Sequence, residues 1–176
     1  LMPYTTLSRS MLVQTRSFRD TRSFQEEAKS LQRNGYEVVM IGPRMKGLLF
    51  RVNREPFESG LLGKSFMYGG VKVVTYDFES YKPTVEHMHD HIKQDSLLFS
   101  NPLVTLGLKE QADVYHAHEV GSLFAGIGIK RKMKQEGKSV PLIFDSHDLI
   151  PDPFDLNPRF IEMGKLLDDR LEKRRV

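Results

Sequence analysis

Ala112-Asp113-Val114-Tyr115-His116-Ala117-His118-Glu119 is the stretch that decides the fold. Val114 and Tyr115 give 112–116 the composition of a β-strand. A segment of helical period follows at once. Over 119–134, Val120, Leu123, Phe124 and Ile127 recur at the spacing of one helix face. The apolar run over 140–144, ending Leu142-Ile143-Phe144, then reads as a second, buried strand. Strand, helix and strand at these lengths form the βαβ unit of a parallel sheet.

The same alternation extends toward the N-terminus. Met11-Leu12-Val13 is the first expected strand, and a helix over 20–34 places Phe24, Ala28 and Leu31 on one face. Asp20 or Ser23 caps that helix, Ser23 forming a capping box with Glu26, and Gly35 sits at the C′ position. A strand over 36–41 comes next. Residues 43–70 are irregular and rich in glycine, with 48–52 expected as an edge strand or hairpin arm; 71–76 is a further strand. Val85, Met88 and Ile92 predict a helix over 84–99 that Asn101-Pro102 interrupts, and a second helical piece covers 103–111. Past a proline-bearing loop at 145–157, a last amphipathic helix carries Phe160, Met163, Leu167 and Leu171. The expected fold class is α/β: one Rossmann-like domain over residues 1–176, its mostly parallel sheet flanked by helices on both faces.

Composition narrows the function classes. The chain is 39% apolar and 28% charged, which excludes disordered and fibrous proteins. A net charge of +3 permits contact with anionic lipid headgroups or phosphorylated ligands but falls short of a nucleic-acid binder. Without cysteine there is neither a disulfide framework nor a thiolate metal site, which fits a reducing cytoplasm. No apolar run approaches the ~20 residues that span a bilayer. Leu1 is not a translation start, so targeting information encoded before it would not be visible.

Two motifs fail on inspection. Gly60-Leu61-Leu62-Gly63-Lys64-Ser65 ends like a phosphate-binding P-loop, but Glu58 stands where the first glycine is required, and 66–70 is a poor helix start. It reads as a solvated turn. His87-Met88-His89-Asp90-His91 resembles a metal box, yet helical spacing puts His87 and His91 on one face and His89 elsewhere, as on a solvated helix.

Three polar clusters remain, each following an expected strand: Arg19-Asp20-Thr21-Arg22, His116-Ala117-His118-Glu119 and Asp145-Ser146-His147-Asp148. In open parallel sheets ligands bind beyond the carboxyl ends of the strands. Each residue alone also has a structural reading. Glu119 suits a helix N-terminus, and Asp145 or Ser146 suits a cap or turn. Together they point to one shared edge.

Asp20-x-Arg22 opening a helix, Glu27-Ala28-Lys29-Ser30-Leu31, Gly35-Tyr36-Glu37-Val38, Ala112 to Glu119, and Leu142-Ile143-Phe144-Asp145-Ser146-His147-Asp148 resemble, in order and spacing, the signature segments of family 4 (group 1) glycosyltransferases. The resemblance implies the N-terminal half of a GT-B fold, which binds the acceptor. The C-terminal domain, which binds most of the nucleotide-sugar donor, would lie outside this chain. It implies retaining transfer without cofactor or metal, to a sugar, lipid-linked or other acceptor, in a cytoplasmic setting, at most peripheral to the membrane's inner face. By motif, His118 and Glu119 are the expected catalytic residues. Arg22, Asp20, His116, Asp145, Ser146, His147 and Asp148 are the expected substrate contacts; Asp148 stands where the family more often has Glu. Two alternatives stay open: a sugar-nucleotide 2-epimerase of the same fold, and a free-standing, non-catalytic carbohydrate- or partner-binding domain. A reading frame continuing for about 180 residues would favour the enzyme.

Overall fold

A computed structural model describes residues 6–57, 63–78 and 102–146. The helices expected over 84–99 and after Pro158, together with His87, His89, His91, His147 and Asp148, lie outside the described residues.

Among the described residues six strands form one sheet: β1 (Ser8–Val13), β2 (Glu37–Arg44), β3 (Ser65–Tyr68), β4 (Val71–Asp77), β5 (Val114–His118) and β6 (Leu142–Asp145). Their spatial order is β3-β4-β2-β1-β5-β6. Every adjacent pair is parallel except β3 with β4. The chain steps outward from β1 through β2 to β4, then returns to the other side of β1 for β5 and β6. The strand order therefore reverses between β1 and β5, the kind of switch point at which open α/β sheets bind ligands.

Among the described residues three helices cover the sheet. The first, α1, opens as a π-helix over Thr21–Ala28 and continues as an α-helix over Lys29–Arg33; α2 is Pro102–Glu110 and α3 is Val120–Gln135. Alternation along the strands divides the core in two. Leu12, Ile41 and Val74 pack with Leu103 and Val104 of α2 and with Ala125, Ile129 and Met133 of α3. Met11, Val13, Met40 and Val73 point the other way and pack with Phe18 and with Phe24 and Ala28 of α1. This is the Rossmann-like arrangement, with helices on both faces.

Local departures from the expected elements have identifiable causes. Asp20, not Ser23, is the N-cap of α1, and its carboxylate accepts from both the backbone N–H and the hydroxyl of Ser23. The run 48–52 forms no continuous strand but is one arm of a short hairpin, in which the Phe57 amide donates to Leu49 O and the Arg51 amide to Glu55 O around the Phe50 to Pro56 bridge. Its apolar residues also serve packing, with Leu49 and Phe50 buried and Leu48 and Val52 exposed. The 65–68 segment is strand β3, so Ser65 begins no phosphate-binding helix, and the Lys64 side chain is exposed. Gly69 and Gly70 both take positive φ, 56° and 81°, as a two-residue hairpin turn requires. Among the described residues β6 ends the sheet, with Ile143 and Phe144 each 39% exposed, where a buried strand was expected.

Candidate functional site

Parallel register sets the site. Val13, His118 and Asp145 stand side by side across β1, β5 and β6, and Met11, His116 and Ile143 form the row two residues earlier. His116 and His118, two apart on one strand, share the sheet face that α1 covers. Their rings stack with centroids 4.4 Å apart and planes inclined by 29°.

Glu27 of α1 comes down onto this pair. Its Oε2 lies 3.6 Å from His116 Nδ1 and 3.7 Å from His118 Nε2. The other nitrogen of His118, Nδ1, lies 3.5 Å from Asp145 Oδ2. Arg22 closes the cluster from outside: its Nη2 donates to Asp145 Oδ1 at 2.6 Å, and its Nε lies 3.6 Å from Glu27 Oε1. The π-helix makes this possible. In an α-helix, residues five apart point about 140° away from each other. The wider π turn, bonded i to i+5, brings Arg22 and Glu27 to the same side.

Burial is graded through the cluster. His118 has no exposed surface, whereas the Arg22 side chain is 50% exposed. The Glu27 carboxyl is pushed up from 4.5 to about 7, chiefly by burial and next by the neighbouring Asp145 charge, with Arg22 opposing. A carboxyl group titrating there can donate or accept a proton near neutral pH.

The other expected residues have different placements. Glu119 takes φ 76°, a left-handed conformation uncommon for a residue with a side chain. Its carboxylate accepts from the Thr15 amide (3.0 Å), the Thr15 hydroxyl (2.6 Å) and Arg16 Nε (3.0 Å). It thus fastens the loop after β1 to the start of α3 across the switch point. Asp20 is buried as the cap of α1, with Arg16 Nη1 3.7 Å from its carboxylate. Ser146 is exposed just beyond β6. The structure therefore brings together Arg22, His116, His118 and Asp145, and sets Glu119 and Asp20 in a second group built around Arg16.

Beside that second group lies a cleft of about 290 Å³ lined by Thr15, Arg16, Ser17, Asp20, Arg54 and Glu119, among others. A neighbouring hollow of about 390 Å³ shares Val52 with it and adds Arg19, Arg51 and Gln25. Arg19 lies over the Phe57 and Tyr68 rings at 5.2 and 5.5 Å from their centroids, which fixes its charge at the rim. Arginines and hydroxyls at a switch point suit a ligand carrying phosphate, carboxylate or several hydroxyl groups.

Sequence reading missed Glu27, Thr15 and Arg16. For Glu27 a signal existed: it lies three residues after Phe24 and four before Leu31, on the stripe that faces the sheet. A carboxylate on such a stripe needs a partner. Nothing in the sequence marks Thr15 and Arg16.

Comparison with protein-family models, with curated proteins and with solved structures returns no match. Among the described residues, no helix is long and apolar enough to cross a membrane.

Proposed function

We propose that this chain is the acceptor-side domain of a retaining glycosyltransferase of GT-B architecture, which transfers a sugar from a nucleotide-sugar to a hydroxyl-bearing acceptor. The donor would be held mainly by a second domain outside these 176 residues. The observation that carries the reading is that His118 and Asp145, at the ends of β5 and β6, line up with the end of β1 and the polar segment that follows it, at the carboxyl edge beside the switch point. The resemblance of those same segments to family 4 glycosyltransferases gives the alignment its chemistry.

On this reading the acceptor occupies the cleft at Thr15, Arg16, Arg54 and Glu119. Arginine forks there would grip a phosphate, carboxylate or paired hydroxyls of the acceptor. His118, fully buried, works from behind the cleft surface. Its two ring nitrogens face Glu27 and Asp145, and opening of Arg22 and α1 would let it face the reacting sugar.

Two titrations test the reading. Saccharides and sugar phosphates added to ¹⁵N-labelled protein are expected to shift the amides of Thr15, Arg16 and Glu119. Uridine and guanosine nucleotide-sugars are expected to give no micromolar binding by calorimetry. Micromolar nucleotide-sugar binding to this chain would overturn the acceptor-half assignment. Silence of those three amides across acidic, neutral and phosphorylated saccharides would overturn the acceptor site.

A further inference from the structure

We propose that Glu27, His116, His118 and Asp145 form a binding site for one divalent transition-metal ion of the zinc class. The proposal does not rest on the transferase reading, which needs no metal, although both draw on His118. One ligand atom from each of the four side chains can be chosen so that all lie within 4.8 Å of one another. The residues come from α1, β5 and β6, so the fold and not one flexible segment brings them together.

The distances suit the ion. Zinc bonds to imidazole nitrogen and carboxylate oxygen are about 2.0–2.2 Å, which puts tetrahedral ligand atoms roughly 3.3–3.6 Å apart. Glu27 Oε2 is 3.6 Å from His116 Nδ1 and 3.7 Å from His118 Nε2, at the upper limit of that range. Even the widest separation closes if each side chain moves by less than about 1 Å. Glu27 Oε2 is also a buried oxygen with no hydrogen-bond partner among the described residues. It lies where a cation would satisfy it.

The donor set selects the metal class. Two imidazoles with carboxylates disfavour calcium and magnesium, which take oxygen ligands, and suit zinc and its first-row neighbours. His118 is already oriented for the task. Its Nδ1 faces Asp145 Oδ2 at 3.5 Å while Nε2 faces Glu27, the carboxylate–histidine–metal order that fixes the tautomer of metal-bound histidine. Asp145 therefore either completes the ligand set or orients His118. Arg22 now supplies the positive charge between the two carboxylates, and with half its side chain exposed it can swing aside for a dication.

The test is calorimetric titration of the metal-free, untagged protein with Zn²⁺, together with Co²⁺ as a paramagnetic, coloured substitute. Expected are one ion per chain with Kd below about 1 µM, and a melting temperature raised by roughly 5–10 °C at a hundredfold excess over Kd. His116→Ala and Glu27→Gln are expected to weaken binding by more than about 100-fold, and Asp145→Asn by about 10–100-fold. The double substitution His87→Ala with His91→Ala removes the sequence's other histidine cluster and is expected to leave affinity unchanged. Binding no tighter than about 10 µM overturns the site. So does affinity that survives Glu27→Gln and His116→Ala, or that vanishes with His87 and His91. Should the site variants fail to fold, Co²⁺ broadening in the wild-type chain decides. Broadening at His116, His118 and Thr21–Ala28 supports the site, and broadening confined to 87–91 overturns it.

Discussion

A carboxyl group set between two imidazoles and a second carboxylate is governed by which charges it can share. Glu27 is raised to about 7 because burial disfavours its charge first and Asp145 repels it second. The sign of the stability effect follows. Below the unfolded value of 4.5, Glu27 is protonated in both states and costs nothing. As pH rises toward 7 the unfolded chain releases its proton first, so stability falls, and above about 7 the loss is constant. A displacement of this size has a ceiling of about 3 kcal/mol. The side chain is 26% exposed, so solvent reduces the effect, and about 1–2 kcal/mol is expected. In metal-free buffer Glu27→Gln should match the wild type near pH 4.5 and exceed it by that amount at pH 8. Urea melts at the two pH values check this. A variant weaker than wild type at pH 8 would mean that the ion pair with Arg22 outweighs the burial.

Elements divide into those the sequence announces and those it conceals. The βαβ unit around Ala112–Glu119 is legible as strand, helix and strand from its composition and apolar periods, and parallel pairing then sets His118 beside Asp145; the face that α3 turns to the core is Ala125, Ile129 and Met133, with the expected Leu123 and Ile127 only partly buried. Strand β3 is concealed by its surroundings. Phe66-Met67-Tyr68 is short and follows a glycine-rich loop, although Gly69-Gly70 was a usable hairpin signal. The π opening of α1 has no periodic signature, so the Arg22–Glu27 pairing could not be read from helical spacing. One tie between elements can be removed cleanly. The buried Tyr115 hydroxyl donates to Gly107 O of α2 at 2.8 Å and accepts from the Ala112 amide at 3.2 Å. Tyr115→Phe keeps the ring and strands both partners, so a loss of about 1–2 kcal/mol is expected. Denaturant unfolding measures it. An unchanged midpoint would show that α2 docks through its apolar face alone, Leu103 and Val104 included.

At the scale of the molecule, the sheet is asymmetric in what protects it. β1 has a parallel partner on each side and helices over both faces, and Met11, Leu12 and Val13 have no exposed surface. Among the described residues β3 is the end of the sheet, joined to it by β4 alone, with Met67 64% exposed. Amides exchange with solvent through the least costly opening that frees them, and that cost scales with the apolar contacts broken. Opening β3 breaks one antiparallel ladder and the contacts of Phe66 and Tyr68 with the Phe18 ring. Opening β1 separates the two halves of the sheet, exposes both core clusters and dismantles the row Val13–His118–Asp145. Hydrogen exchange should therefore show the amides of Leu12 and Val13 opening only with global unfolding, with a free energy that falls steeply with added denaturant. The amides of Ser65–Tyr68 should exchange through local fluctuations that denaturant barely affects. His118 belongs to the protected class by its place on β5, so the site would be held by the most stable part of the sheet while Arg22, on the half-exposed side of α1, supplies its moving part. Equal protection of β3 and β1 would sink this division, because it would make the whole sheet one cooperative unit with no soft edge.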